Sequence, residues 1–190
     1  MLHERAAALT RNGLQERFYF GDAVLPLFES GVPLLHRKLR ELQRAGHSVT
    51  IAYPDEGAWK RFKHQFRDLP EVVCTKVRDG SERYVRLKEG SPEGQHVVIV
   101  DDLVQSGGTL IECGKLLHAK GAAHISAYVT HGVFPCEKYK RFEPRPSSGA
   151  FGWSNVWITD SCPQTTAAVQ NRAPFEVLSL AEPIANALRV

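Results

Sequence analysis

The residues of this chain best equipped for chemistry lie in one short run, Asp101-Asp102-Leu103-Val104-Gln105-Ser106-Gly107-Gly108-Thr109. Glycines let backbone N–H groups close around a phosphate, and the start of a following helix adds the positive end of its dipole. The two carboxylates repel a phosphate, so they suit hydroxyl groups or a metal ion instead. A sugar phosphate with a free diol, with or without Mg²⁺, satisfies both halves of the run. Each part also has a plainer reading. Gly107-Gly108 makes a tight strand-to-helix turn, and Asp102 places negative charge near a helix start. Paired acids, Ser106, Thr109 and two glycines directly after a buried strand favour the phosphate. A Walker-type nucleotide loop is excluded. From Gly108 to Gly114-Lys115 the spacing is one residue too long, and Leu116 stands where a Mg²⁺-binding Ser or Thr is required.

The element that must position this run is Val97-Val98-Ile99-Val100, an unbroken apolar stretch that reads as a strand buried on both faces of a parallel sheet. In open α/β sheets ligands bind beyond the carboxyl ends of the strands. Val49-Thr50-Ile51-Ala52-Tyr53 is a second such strand, ending at Pro54-Asp55, and Gly57 to Arg67 reads as the amphipathic helix after it. Residues 72–78 and 83–88 alternate around Asp79-Gly80, a hairpin signal. Thr109 to Ala119 is the helix that follows the glycine run, and Gly121 ends it. Further strands are expected at 125–130, 155–159 and 175–179, and a terminal helix at 180–188. Ala23 to Arg44 has helical apolar spacing that Pro26 and Pro33 break into two pieces. Met1 to Leu9 reads as a frayed helix in preference to an organelle-targeting one, and Pro144 to Gly152 as a loop. Strands alternating with helices imply a three-layer α/β fold with a mostly parallel sheet.

The Val98-Ile99-Val100-Asp101-Asp102…Ser106-Gly107-Gly108-Thr109-Leu110 pattern resembles the ribose-phosphate loop of type I phosphoribosyltransferases and of phosphoribosyl pyrophosphate (PRPP) synthetases, also called ribose-phosphate diphosphokinases. Further segments resemble the synthetases in particular. They are Tyr53-Pro54-Asp55-Glu56-Gly57 with Lys60-Arg61, Lys76-Val77-Arg78, Gly121-Ala122-Ala123, Thr130-His131-Gly132-Val133-Phe134 and Glu176-Val177-Leu178-Ser179-Leu180. The set is similar to the plant-type branch and runs from about Leu14 to Val190. The resemblance implies a type I phosphoribosyltransferase-like fold and transfer of a diphosphoryl group from the substrate ATP to ribose 5-phosphate, with Mg²⁺ as cofactor, giving PRPP for nucleotide biosynthesis.

It also implies roles. Gln105, Ser106, Gly107, Gly108 and Thr109 would hold the 5-phosphate, and Asp101, then Asp102, would accept hydrogen bonds from the ribose hydroxyls. Lys76 and Arg78 match the family's catalytic flexible loop, where two cations on one strand face could stabilise charge on the transferring phosphates. The plainer reading is that charged hairpin edges deter aggregation. Asp55 matches an acid that the family uses near Mg²⁺. Lys60 and Arg61 are either solvated helix charges or phosphate contacts, His131 packs or hydrogen-bonds at the loop edge, and Trp59, Trp153 and Trp157 read as core or interface. The chain departs from the family at Leu9-Thr10-Arg11-Asn12-Gly13, where an acidic-histidine motif is expected. Residues 1–45 are therefore read as a helical remnant of an N-terminal domain, and 46–190 as the phosphoribosyltransferase-like domain. The ATP half-site is expected to be incomplete. Two alternatives stay open: a non-catalytic regulatory subunit of a full-length synthetase, or a stand-alone phosphoribosyltransferase. Assembly with itself or with such a synthetase is expected.

Composition narrows the classes. The chain has 190 residues, 43% hydrophobic and 24% charged, enough for a core of its own. A formal charge of +3 argues for neither nucleic acid nor a membrane as partner. Cys74, Cys113, Cys136 and Cys162 are widely spaced and form no Cys-x-x-Cys pair, which points to a reducing compartment, taken here as the cytoplasm, over a disulfide framework or zinc site. No apolar run reaches membrane-spanning length.

Overall fold

A computed structural model of the protein describes residues 4–9, 24–79, 82–144 and 151–188. Glu4–Leu9 (β1) and Val24–Glu29 (β2) pair in parallel as a two-stranded sheet. Both depart from the helices expected there. Pro26 opposes Ala6 in this ribbon, an edge position where its missing N–H is tolerated, whereas in a helix it would break the ladder. Val32–Arg44 (α1) does form a helix, with Pro33 in its first turn where no N–H is needed. Residues 10–13, which replace the acidic-histidine motif, lie outside the described residues, as do most of 144–152.

The main sheet is built from Val49–Tyr53 (β3), Glu71–Asp79 (β4), Glu82–Glu89 (β5), His96–Val104 (β6), His124–Gly132 (β7), Asn155–Thr159 (β8) and Phe175–Leu178 (β9). Their order is β5-β4-β3-β6-β7-β8-β9, with only the β4–β5 pairing antiparallel. The helices are Glu56–Phe62 (α2), Gly108–Ala119 (α3), Pro163–Val169 (α4) and Ala181–Ala187 (α5), with 3₁₀ segments at Lys63–Gln65 and Pro135–Phe142. The helix expected to reach Arg67 is thus shorter and tightens into a 3₁₀ turn. Neither α4 nor the second 3₁₀ segment has a clear sequence signal.

Alternation along β6 makes the sheet the middle of three layers. Val97 and Ile99 join a core under α3 with Leu110, Cys113 and Leu117. Val98 and Val100 join the opposite core with Leu35 and Leu39 of α1, Phe62 of α2 and Trp157. Residues 97–100 are all fully buried, as a two-sided strand requires.

Chain order fixes where a ligand can enter. After β3 the chain builds outward through β4 and β5, then returns to lay β6 on β3's other side and builds the opposite way. The crevice between the carboxyl ends of β3 and β6 is therefore the topological switch point. β4 overshoots this edge. Its pairing with β3 ends at Tyr53↔Val73, a register shift follows between Val73 and Cys74, and from there to Asp79 it pairs with β5 alone.

Candidate functional site

Three acids from two strands meet at the switch point. Ala52 of β3 is level with Ile99 of β6, so Pro54-Asp55 lies beside Asp101-Asp102. The strand does not stop at these acids, as the sequence suggested. β6 continues to Val104, pairing Leu103 with His131 and Val104 with Gly132, so the loop proper begins at Gln105.

That loop walls a cavity of about 320 Å³ lined by Asp101 and residues 103–110. The amides of Gln105, Ser106 and Gly107 have no acceptor among the described residues, and the Gly108 amide has only a long 3.4 Å contact with Ser106 Oγ. Gly107 adopts φ +74°, the left-handed conformation that glycine accepts without cost. A Cβ there would overlap the Phe142 ring. Helix α3 starts at Gly108 and offers its first amides to the same space. Uncommitted donors around a small opening constitute an anion site in chemical terms.

The paired acids differ. Asp102 is 6% exposed, and its Oδ2 lies 2.9 Å from Arg61 Nη1 of α2. Asp101 faces the cavity, accepts the Asp102 amide at 2.9 Å and lies 3.9 Å from Arg61. Burial, then the neighbouring Asp102 and Asp55 carboxyls, push the Asp101 carboxyl up to about 7. One arginine thus neutralises one acid, and the other holds its proton more tightly.

Asp55 caps α2 by accepting the Ala58 amide at 3.0 Å, and its Oδ2 pairs with Lys76 Nζ at 2.7 Å. Burial raises its carboxyl, but Lys76 and the capping amides outweigh this and hold it below the usual carboxylate range. Lys76 stands half-exposed on the overshooting part of β4. Arg78 is on the same strand, and its side chain is outside the described residues. Among the described residues no three His, Cys, Asp or Glu side chains gather to hold a metal ion. Asp55 and the acid pair are already engaged by Lys76 and Arg61, so the donors among the described residues do not by themselves form a magnesium cage.

Other residues fall into structural roles. His131 Nδ1 meets Ser161 Oγ at 2.9 Å. Trp157 is buried and donates to Glu176, Trp153 stacks on Phe142, and Trp59 donates to Glu71 while Lys63 covers its ring. Sequence reasoning left Arg61 undecided between two surface roles. Its place in the last turn of the helix that follows the other switch-point strand was the available signal. It missed Arg141, whose Nη1 donates to the Ser106 carbonyl at 2.6 Å.

The matching family model is the phosphoribosyl transferase domain, over residues 4–150. The chain belongs to this phosphoribosyl transferase domain family. The chain is 61% identical over 94% of its length to "Ribose-phosphate pyrophosphokinase 3, chloroplastic" of Oryza sativa subsp. japonica, covering 44% of that protein. It is 60% identical, again over 94% of its length, to "Ribose-phosphate pyrophosphokinase 4" of Arabidopsis thaliana, covering 53%. The chain therefore spans about half the length of the curated relatives it matches. Among solved structures it is similar to the phosphoribosylpyrophosphate synthetase of Mycobacterium smegmatis, with TM-score 0.73 and 23% identity, covering 97% of this chain and 57% of that one. That likeness places the fold of this domain in the type I phosphoribosyltransferase-like class.

Proposed function

We propose that this domain binds ribose 5-phosphate and takes part in diphosphoryl transfer from ATP to its C1 hydroxyl, giving PRPP. The observation that carries this reading is the loop after β6, where three amides without acceptors among the described residues surround a small cavity beside Asp101 at the switch point. Such a loop suits the 5-phosphate, and an unprotonated Asp101 carboxylate suits the adjacent diol. Lys76, on the projecting β4–β5 hairpin, is poised to leave Asp55 and meet the transferring phosphates. Arg78 shares that strand and that proposed role. The high identity to plant ribose-phosphate pyrophosphokinases supports the same chemistry.

In this reading residues 46–190, with α1 packed into their core, form the ribose-phosphate-binding domain, the β1–β2 ribbon belongs to a preceding domain, and ATP is gripped largely by groups other than those of 46–190. Magnesium enters with the phosphates of ATP, as it commonly does, with Asp55 as its nearest acid. Assembly with further copies or with a longer synthetase supplies the remaining groups. Four free cysteines suit a reducing compartment such as the cytoplasm. No helix among the described residues is long and apolar enough to cross a membrane.

Calorimetry with ribose 5-phosphate, ribose and inorganic phosphate tests the binding half. Ribose 5-phosphate is expected to bind more tightly than either fragment, and equal affinity for inorganic phosphate would overturn the sugar-phosphate reading. ATP-dependent formation of PRPP, measured alone and after mixing with a full-length synthetase, tests the transfer half. Base-dependent consumption of PRPP instead would redirect the assignment to a phosphoribosyltransferase.

A further inference from the structure

We infer that Arg141 is a positioning residue for the phosphate loop: its guanidinium holds the Ser106–Gly107 peptide in the orientation that turns the Gly107 amide toward the bound phosphate. This inference rests on the ribose 5-phosphate reading of the loop.

The geometry is that of a single peptide plane. In a trans peptide the carbonyl and the following N–H point in opposite directions. Arg141 Nη1 donates to the Ser106 carbonyl oxygen at 2.6 Å, so the Gly107 N–H points away from Arg141. Neither Arg141 nor Phe142 belongs to the cavity wall, which is formed by Asp101 and residues 103–110. Both touch the loop without lining the cavity, so a Gly107 N–H turned away from Arg141 is able to face it. The Gly107 amide accordingly has no acceptor among the described residues.

Two further observations set Arg141 in place. Phe142, the next residue, is 1% exposed and packs where a Gly107 side chain would be, with Trp153 stacked on it at 5.3 Å. The segment that carries both residues is itself held in unusual backbone conformations, with positive φ at Phe134, Cys136 and Glu137. Strain of this kind persists only where the surroundings fix it. Phe142 thus fixes the distance between segment and loop, and Arg141 fixes which way the peptide faces. With a free rotor at Ser106–Gly107 the carbonyl can turn into the cavity, where it would repel a phosphate.

The test uses Arg141→Ala, Arg141→Gln and Arg141→Lys in the full chain. Glutamine keeps an N–H donor for the carbonyl without the charge, and lysine keeps the charge. In ligand-free protein the backbone resonance of Gly107 is expected to shift or broaden in Arg141→Ala and to return toward its wild-type position in Arg141→Gln. Arg141 is exposed, so thermal unfolding should move little. Ribose 5-phosphate affinity is expected to fall about tenfold in Arg141→Ala, the loss of one charge-assisted hydrogen bond, and to recover in Arg141→Gln. An unchanged Gly107 resonance in Arg141→Ala would overturn the inference whatever the ligand does. Rescue of binding by lysine but not glutamine would overturn it too, making Arg141 a direct charge contact. Failure of wild-type protein to bind ribose 5-phosphate would count against the ribose-phosphate reading alone, because the resonance measurement needs no ligand.

Discussion

Strand β6 carries a titratable side chain largely withdrawn from water near each end, and the two ends have become different things. At the amino end His96 is 3% exposed, shares Nε2 with Ser126 Oγ at 2.9 Å and sits among the rings of His47 and His124. Burial, and then those two histidines, lower its pKa from 6.5 to about 4. At the carboxyl end Asp101 is raised from 3.8 to about 7 for the same leading reason, loss of water. Both residues are thereby biased to the neutral form. The difference lies in what each faces: His96 is closed in by the ends of β3 and β7, whereas Asp101 opens on a cavity whose amides have no acceptors among the described residues. Burial alone does not distinguish a structural from a functional ionisable group. An open cavity walled by uncommitted backbone donors does, and only Asp101 lines one here.

The largest expected effect breaks the open end directly. Gly107→Val forces a branched side chain into a positive φ and into the Phe142 ring, and should cost about 3 kcal/mol or more in chemical denaturation. Ribose 5-phosphate binding should be lost with it, so this variant measures the clash as much as the site.

The closed end is probed by acid. A group with a depressed folded pKa contributes its stability above its unfolded value and loses it as pH falls. His96 should therefore erode stability from pH 6.5 downward through 4, by about 3 kcal/mol in total, and His96→Gln should flatten that limb of the urea midpoint against pH. Asp101 runs the other way. Its pKa is raised, so its contribution is present below 3.8 and lost as pH rises through 7. Ribose 5-phosphate affinity should rise as pH passes through about 7 and the folded-state carboxylate forms, and Asp101→Asn should remove the dependence on pH beyond that of the phosphate itself.

Removing Arg61 takes away the cation that lies 2.9 Å from the buried Asp102 carboxylate. Arg61→Ala should cost about 2 kcal/mol at pH 8 and less at pH 5, where Asp101 holds its proton and the edge carries less negative charge. Equal losses at both values would mean that the ion pair does not set the charge of this edge.

The smallest effects belong to the exposed contacts. Lys76→Ala should change stability by less than about 0.5 kcal/mol, whereas Asp55→Ala should cost about 1 kcal/mol through the lost helix cap. If turnover is reconstituted, Lys76→Ala should lower the rate constant more than binding.

Much of this arrangement could be read from residues alone, where one local period decided the matter. Residues 97–100 and 49–53 are apolar on both strand faces, so their burial and parallel pairing followed, and Gly107-Gly108 marked the turn. Val24–Glu29 was misread because its apolar spacing suits either period, and its partner Glu4–Leu9 is distant in sequence. The continuation of β6 through Asp101-Asp102 was hidden because charged residues seldom extend a buried strand. Arg61 and Arg141 escaped for a further reason. What they do depends on where α2 and the segment after β7 fall against the β6 edge, and no spacing within either segment encodes that.

The overshoot of β4 beyond β3 has a mechanical consequence. From Cys74 onward β4 pairs with β5 alone, so the hairpin projects from the register shift as an arm carrying Lys76 and Arg78, held at its base where Cys74, Val85 and Leu87 pack on the core under α3. Swivelling at that root by about 15° would sweep the tip roughly 4 Å, given about 3.3 Å per residue along a strand. Such a swing separates no strands of the central sheet, but Val85 and Leu87 of β5, which rest on the core under α3, must slide with it, and the Lys76–Asp55 contact acts as the latch on its travel.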